Sequence, residues 1–162
     1  MKPIFEGKHV LVFDRDGWEF VERKSAKEAV AVIAITDRNE LILVEQYRKP
    51  LEASVIDLPA GLIGDEGDHD PRSTAKRELE EETGYTCDGV DLLAKCATSP
   101  GITSEQVTIA RARGVRRASG EAEHGITVHL VPLAAIDEWL REQKNVIDLK
   151  IWAALHFVTK ST

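Results

Sequence analysis

Four glutamates stand close together in the segment AKRELEEETGYT, residues 75–86, at positions 78, 80, 81 and 82. An acidic run of this kind can be the solvated face of an ordinary helix, because glutamate favours helices and is usually exposed. It can also hold a hard cation, since carboxylate oxygens are preferred ligands of Mg²⁺ and Mn²⁺. The segment contains no histidine or cysteine, which argues against a soft metal.

The residues around this run predict a helix from Pro71 to Thr83. Asp70 is a good N-cap, Pro71 suits the first helical position, and Gly84 suits the left-handed residue that ends a helix. At 3.6 residues per turn, three glutamates share one face: Glu78, Glu81 and Glu82. Like charges on one face repel each other, so we expect a cation to neutralise them.

The other residues of the predicted helix have separate roles. Ala75 and Leu79 point towards a core, whereas Glu80 points to solvent. Arg77 precedes Glu81 by one helical turn and can hold its carboxylate in place.

Length and charge limit the possible functions. With 162 residues and 43% hydrophobic content, the chain can bury one good core, which predicts a single domain over residues 1–162. A net charge of −7 and a pI near 5.3 argue against nonspecific binding to nucleic acid or to an anionic membrane. A polyanionic substrate would therefore need a metal ion.

Cysteine usage and hydropathy favour a cytoplasmic protein. Cys87 and Cys96 have no metal-ligand spacing and no secretory leader is recognised, so we expect reduced, structural thiols. The longest clean apolar stretch, Ala29–Ile35, is far too short to span a bilayer, so we expect no membrane association.

Apolar patterns and turn signals predict a mixed sheet between helices, an α/β fold. A hairpin from His9 turns at Asp16–Gly17, and the segments 29–36 and 41–48 form the next pair of strands. Residues 54–70 are rich in glycine and acids and predict a loop. Further strands are predicted at 92–98, 106–112 and 126–132, followed by two helices within 133–160.

The segment from Gly61 to Tyr85 resembles the Nudix box of the Nudix hydrolases. The second half matches the box at every specified position: Arg77, Glu78, Leu79, Glu81, Glu82, Gly84 and Tyr85. The first half departs from it, because the loop after Gly61 is two residues longer and places His69 where the family has a mainly structural glutamate. The candidates to replace that glutamate are Glu66, Asp68 and Asp70.

The resemblance extends to EQYR at 45–48, DLPAG at 57–61 and SPG at 99–101. A proline at the position of Pro100 is typical of the branch that hydrolyses ADP-ribose and other nucleoside-diphosphate sugars. The resemblance implies an α/β/α sandwich with a mixed sheet, and a Mg²⁺ or Mn²⁺ ion held by the three glutamates of the shared face and the carbonyl of Ala60. It also implies a homodimer that shares the N-terminal strands, about residues 1–25.

Residues outside the box are candidates for substrate binding. Arg48 ends a predicted strand and can bind a phosphate or ribose, although it can equally be a surface ion-pair partner. Trp18 can stack on a nucleobase or simply pack against its neighbours. Pro100 and Gly101 belong to the branch motif and are expected beside the substrate.

A general base is expected among carboxylates that the metal does not use. Glu121 and Glu123 lie between Gly120 and Gly125, which can let the segment move towards the metal, and branch relatives carry a loop glutamate in this region. We favour Glu123, which is nearer the next strand, and Glu82 is expected to be catalytic as a metal ligand. If both loop glutamates only face solvent, the next candidates are Glu78 and Glu105.

The implied reaction is hydrolysis of a pyrophosphate bond, with ADP-ribose giving AMP and ribose 5-phosphate as the leading case. Another nucleotide sugar, such as a GDP- or ADP-hexose, is the alternative within this class. A noncatalytic domain that senses nucleotide sugars, as some relatives are, is the alternative from another class. The intact glutamates Glu78, Glu81 and Glu82 disfavour a sensor, which has no need for a metal site.

Overall fold

The computed structural model describes residues 1–26, 28–65, 67–120 and 122–159. The strands in chain order are β1 (Phe5–Glu6), β2 (Val10–Arg15), β3 (Trp18–Arg23), β4 (Glu28–Ile33), β5 (Glu40–Arg48), β6 (Ala53–Asp57), β7 (Ala60–Leu62), β8 (Tyr85–Thr86), β9 (Gly89–Ala97), β10 (Gln106–Arg113), β11 (Arg116–Arg117), β12 (Thr127–Pro132) and β13 (Val146–Ile147). The helices are α1 (Pro71–Thr83), α2 (Ile136–Glu142) and α3 (Leu149–Thr159). Short 3₁₀ turns, Lys49–Leu51 and Leu133–Ala135, follow β5 and β12.

Two four-stranded mixed sheets carry the core. One has the order β7-β4-β10-β9 with β4 and β10 parallel, and the other has the order β12-β5-β6-β13 with β6 and β13 parallel. Side chains of β4 alternate between two clusters: Val30 and Val32 pack with Leu79 of α1, whereas Ala31 and Ile33 pack with α2, α3 and the second sheet. The first sheet therefore lies between α1 and the other helices, which confirms the predicted α/β architecture.

Helix α1 begins and ends where the sequence predicts. The carboxylate of Asp70 accepts the N–H of Arg72 at 3.0 Å, and Gly84 ends the helix with a φ of 70°. Ala75 and Leu79 are fully buried, as expected for the face towards the sheet. The two predicted C-terminal helices are also present, and among the described residues no helix is both long and apolar enough to cross a membrane.

Two predictions about the strands are wrong. The segments 29–36 and 41–48 do not pair along their length: Ile35, after β4, forms a bridge with Leu41, but β4 and β5 belong to different sheets. The region 54–70 is not a loop throughout, since β6 pairs with β5 and β7 pairs with β4. These strands find hydrogen-bond partners in neighbouring strands, which buried backbone requires.

The N-terminal hairpin forms a separate three-stranded sheet, β1-β2-β3. It turns at Asp16 and Gly17, both of which have positive φ, as predicted. The hairpin docks on the 99–105 segment of its own chain, where the N–H of Val21 donates to the carbonyl of Ile102 at 2.8 Å. The segment that leads into β10 is therefore bonded to the hairpin.

Candidate active site

Helix α1 turns two of its glutamates into the protein and leaves two outside. Glu78 and Glu82 are only 9% and 8% exposed, whereas Glu80 and Glu81 are exposed. Because Glu78 and Glu82 are one helical turn apart, their carboxylates lie on the same inward face. The structure thus divides the predicted trio into two buried groups and one group, Glu81, at the solvent edge.

The backbone of Gly61 on β7 forms the cradle for Glu78. A Cβ added at Gly61 would lie 1.9 Å from Oε1 of Glu78 and 2.5 Å from its Cγ, whereas real Cβ contacts essentially never fall below 3.0 Å. Only glycine leaves room for the carboxylate at this point of close approach. Strand β7 and helix α1 therefore build one continuous carboxylate-lined surface.

Glu82 is held by the residue next to this glycine. The N–H of Ala60 donates to Oε2 of Glu82 at 3.0 Å. Burial raises the pKa of Glu82 to about 7, against the effect of the Ala60 hydrogen bond, and the carboxylate of Glu78 adds to the rise. Burial also raises the pKa of Glu78, although Arg77 opposes it. Two buried carboxylates that resist ionisation are a place where a bound cation would be stabilised.

Arg77 binds the helix carboxylates from the solvent side. Its guanidinium donates to Glu81 at 2.7 Å, as predicted, and to Glu78 at 2.8 Å. A longer contact of 3.4 Å joins Arg77 to Asp65. Sequence reasoning missed Asp65, whose only signal was its place in the acidic loop before the helix.

The predicted replacements for the missing box glutamate serve the start of α1. Asp70 is the N-cap, and Asp68 accepts the N–H of Asp70 at 2.9 Å and the hydroxyl of Ser73. The third candidate, Glu66, lies outside the described residues. Asp68 and Asp70 therefore stabilise the helix that carries the carboxylates.

The oxygen donors of this surface fit a hard divalent cation. The glycine cradle and the two buried carboxylates with raised pKa values supply an all-oxygen set of the kind that Mg²⁺ and Mn²⁺ prefer. Within the described ranges, no three His, Cys, Asp or Glu side chains converge as a finished metal cage. Glu78 and Glu81 bond to Arg77, so metal binding would require these two side chains to turn. Ala60 instead holds one oxygen, Oε2, of Glu82 and leaves the other oxygen for a ligand.

A cleft of 540 Å³ opens beside Ala60 and Gly61. Arg48, the predicted phosphate or ribose ligand, lies on its wall. The other charged groups on the wall are Arg23, Asp57, Glu105, Asp148 and Lys150. Apart from Glu105, these were not identified from the sequence, because contacts between distant segments leave no local pattern.

The other predicted substrate residues lie at a second depression, of 310 Å³. Trp18 and Pro100 line it, and the indole N–H of Trp18 donates to the carbonyl of Gly101 at 3.1 Å. The structure therefore brings Trp18, Pro100 and Gly101 together, but beside a different depression from the one that Arg48 lines. An ion pair between Arg23 and Glu105 lies where the hairpin meets the larger cleft.

The segment that carries the predicted general base lies against the end of α1. The N–H of Glu123 donates to the carbonyl of Glu81 at 2.8 Å, and Glu123 itself is exposed. The N–H of Ala118 donates to the carbonyl of Gly84, also at 2.8 Å. The other candidate, Glu121, lies outside the described residues.

Several known proteins are similar to this chain in sequence or in fold. The chain is 43% identical to the methanol dehydrogenase activator of Bacillus methanolicus and 34% identical to the ADP-ribose pyrophosphatase of Bacillus subtilis strain 168, each over 97% of this chain and 89% of the relative. A solved structure of an ADP compounds hydrolase matches with a TM-score of 0.68 at 24% identity, covering 87% of this chain and 80% of that chain. The profile of the NUDIX domain matches residues 26–153, which include α1 and the cradle, and the chain therefore belongs to the Nudix family.

Proposed function

We propose that the chain is a divalent-metal-dependent enzyme that hydrolyses the pyrophosphate bond of a nucleoside diphosphate linked to a sugar. ADP-ribose, cleaved to AMP and ribose 5-phosphate, is the leading substrate. The observation that carries the proposal is the pair of buried carboxylates, Glu78 and Glu82. They lie against Gly61 and Ala60, and these two residues line the same cleft as Arg48. The names of the Bacillus subtilis relative and of the ADP compounds hydrolase support this substrate class.

The reaction is the attack of water on one phosphorus of the pyrophosphate. The bond from that phosphorus to the bridging oxygen breaks, and a base takes the proton of the water. Glu78, Glu81, Glu82 and the Ala60 carbonyl would hold Mg²⁺ or Mn²⁺, which would neutralise phosphate charge and make the attacking water more acidic. Arg48 neutralises further phosphate charge in the cleft and orients the substrate.

Glu123 is proposed as the base. Its backbone is bonded to the carbonyl of Glu81, so the loop is attached to the helix that carries the metal ligands. Its carboxylate is exposed and is not one of the groups assigned to the metal. Glu121, in the same segment, is the alternative base.

Assembly and location are further parts of the proposal. A homodimer is supported by apolar side chains on the N-terminal segment that are exposed in one chain, namely Ile4 at 57%, Phe5 at 59% and Trp18 at 62%. Residues 1–162 are proposed to form a single domain in the cytoplasm. The net charge of −7 disfavours nucleic acid and anionic membranes as partners.

Two alternatives remain for the same cleft. Another nucleotide sugar, such as a GDP- or ADP-hexose, needs only different groups around the base and the sugar. A noncatalytic sensing role is favoured by the name of the Bacillus methanolicus relative, an activator of another protein. The buried pair of Glu78 and Glu82 favours the enzyme, since carboxylates whose pKa values burial raises destabilise a domain that does not need them.

The deciding experiment is a panel of nucleotide sugars and nucleoside triphosphates incubated with Mg²⁺ or Mn²⁺, with products identified by mass spectrometry. We expect cleavage of ADP-ribose to AMP and ribose 5-phosphate. Rapid turnover of a triphosphate without cleavage of any nucleotide sugar would contradict the proposed substrate class. Tight binding of a nucleotide sugar without cleavage would favour the sensor.

Two variants of the same helix distinguish the loss of a proposed metal ligand from the loss of a surface charge. Glu82→Gln removes a buried carboxylate, and we expect turnover to fall by orders of magnitude. Glu80→Gln removes an exposed carboxylate from the same helix, and we expect little change. Equal losses in both variants would mean that the acidic face acts only through its total charge.

A further inference from the structure

A three-residue ionic cluster joins the C-terminal helix to the strand that leads into the proposed metal site. The ammonium of Lys150 lies 2.9 Å from Oδ2 of Asp57 and 2.8 Å from Oδ1 of Asp148. The side chain of Asp57, at the end of β6, is only 7% exposed. Lys150 therefore bonds to one carboxylate of its own helix start and to one from a strand far away in the sequence.

The two partners keep Lys150 charged. Burial disfavours the ammonium, but Asp57 and Asp148 outweigh it and raise the pKa of Lys150. Burial also raises the pKa of Asp57, and Lys150 opposes that rise. The ionised form of Asp57 thus depends on the ammonium staying in place.

The position of Lys150 is fixed by the start of α3. The N–H of Asp148 donates to the carbonyl of Ile56 at 2.9 Å, which extends the pairing of β13 with β6. The carboxylate of Asp148 accepts the N–H of Lys150 at 2.9 Å, as an N-cap does. Ile151, the next residue, is fully buried in the core, so this end of the helix is firmly held.

Asp57 connects the cluster to the carboxylates of α1. Its second oxygen, Oδ1, accepts the N–H of Leu58 at 2.7 Å, and Leu58 is buried. Two residues further on, Ala60 donates its N–H to Glu82 at 3.0 Å. Hydrogen bonds, an ion pair and three consecutive peptide units therefore link Lys150 to Glu82.

We propose that Lys150 is a positioning residue for the metal site: acting through Asp57, it holds the turn at 58–60 so that Ala60 stays against Glu82. The same three charged groups, Asp57, Asp148 and Lys150, line the cleft together with Ala60 and Gly61. The role of this positioning in hydrolysis rests on the proposed function. Its effect on metal affinity can be measured without a substrate.

The direction of the change in metal affinity distinguishes a positioning role of Lys150 from a purely electrostatic one. Removing a cation near a cation-binding site strengthens metal binding by Coulomb interaction, or leaves it unchanged where Asp57 takes up a proton at the same time. Loss of a group that orients a metal ligand instead weakens it, by about 10- to 100-fold. We therefore expect Lys150→Met to weaken Mn²⁺ binding by about 10- to 100-fold and to lower kcat by a similar factor. Lys150→Arg, which retains the charge, should recover part of both.

The test measures Mn²⁺ affinity by electron paramagnetic resonance on purified wild type, Lys150→Met, Lys150→Arg and the control Lys144→Met. Lys144 is exposed, and its variant should bind Mn²⁺ like the wild type. Unchanged or tighter Mn²⁺ binding by folded Lys150→Met, even with a lowered melting temperature, would overturn the proposal and leave a purely structural ion pair. No Mn²⁺ binding by the wild type would overturn it as well.

A second variant covers the case in which Lys150→Met does not fold. The double variant Asp57→Asn/Lys150→Met leaves no unpaired buried charge, so folding is retained while the ionic link to α3 is lost. Weakened Mn²⁺ binding in it supports the proposal, and wild-type binding overturns it. If the wild type cleaves no nucleotide sugar, the proposed function fails, but the Mn²⁺ comparison still decides the role of Lys150.

Discussion

Replacing Gly61 with alanine tests how the carboxylates of α1 are held. The added Cβ would lie 1.9 Å from Oε1 of Glu78, and real contacts essentially never fall below 3.0 Å, so that oxygen must move by at least 1.1 Å. A misplacement of about 1 Å at a reacting centre can cost about 100-fold in rate. We therefore expect Gly61→Ala to lose about two orders of magnitude in kcat and to bind Mg²⁺ more weakly.

The fold should survive this change. Overpacking typically costs about 1–3 kcal/mol, within the roughly 5–15 kcal/mol by which domains are stable. The assays are kcat and KM for ADP-ribose, a Mg²⁺ titration, and urea unfolding. Gly120→Ala is the control for metal affinity, since a methyl group there meets nothing within 4 Å. Wild-type turnover and metal affinity in folded Gly61→Ala would refute the reasoning that Glu78 must occupy the space above Gly61.

Three further predictions concern Glu82, the general base and the assembly. Burial raises the pKa of Glu82 from 4.5 to about 7, so the folded state favours the protonated side chain. Stability is therefore unaffected by Glu82 ionisation below pH 4.5 and decreases as the pH rises to 7. Glu82→Gln should therefore stabilise the metal-free protein by about 3 kcal/mol at pH 8 and hardly at all at pH 4.5. The measurement is urea unfolding in EDTA at both pH values. Equal gains in stability at the two pH values would contradict the burial argument. Glu123→Gln should lower kcat without weakening Mg²⁺ binding, and normal turnover across the pH range in both Glu123→Gln and Glu121→Gln would place the base elsewhere. Light scattering at micromolar protein should give the mass of a homodimer, and a monomeric mass would remove that proposal.

Local signals in the sequence were sufficient to predict helix α1. Its caps, Asp70 and Gly84, act on neighbouring backbone groups, so the residue types alone define both ends. The 3.6-residue period then predicted which side of the helix is buried, including Leu79. The same period could not separate buried Glu82 from exposed Glu81, because adjacent positions at the edge of a face differ only in what packs against them.

Contacts between distant segments were not predictable in this way. A short polar turn between two apolar segments is a hairpin signal, yet β4 and β5 belong to different sheets, although a bridge joins Ile35 and Leu41. Strands β6 and β7 lie in a glycine- and acid-rich region and were missed because their pairing partners decide their structure. The pair of Asp57 and Lys150 gives no pattern along the chain, since it exists only once α3 is packed.

The cleft includes a residue, Arg23, that lies outside the part of the chain matched by the family. The family match begins at residue 26, but Arg23 precedes it and lines the cleft, in an ion pair with Glu105. A shortened protein that starts at the family boundary would therefore keep α1 and lose part of the cleft wall. The hairpin bonds to residues 101–105, whereas Glu78 and Glu82 lie against β7. If the cleft binds substrate as proposed, changes in the hairpin would alter substrate preference and leave the carboxylates in place.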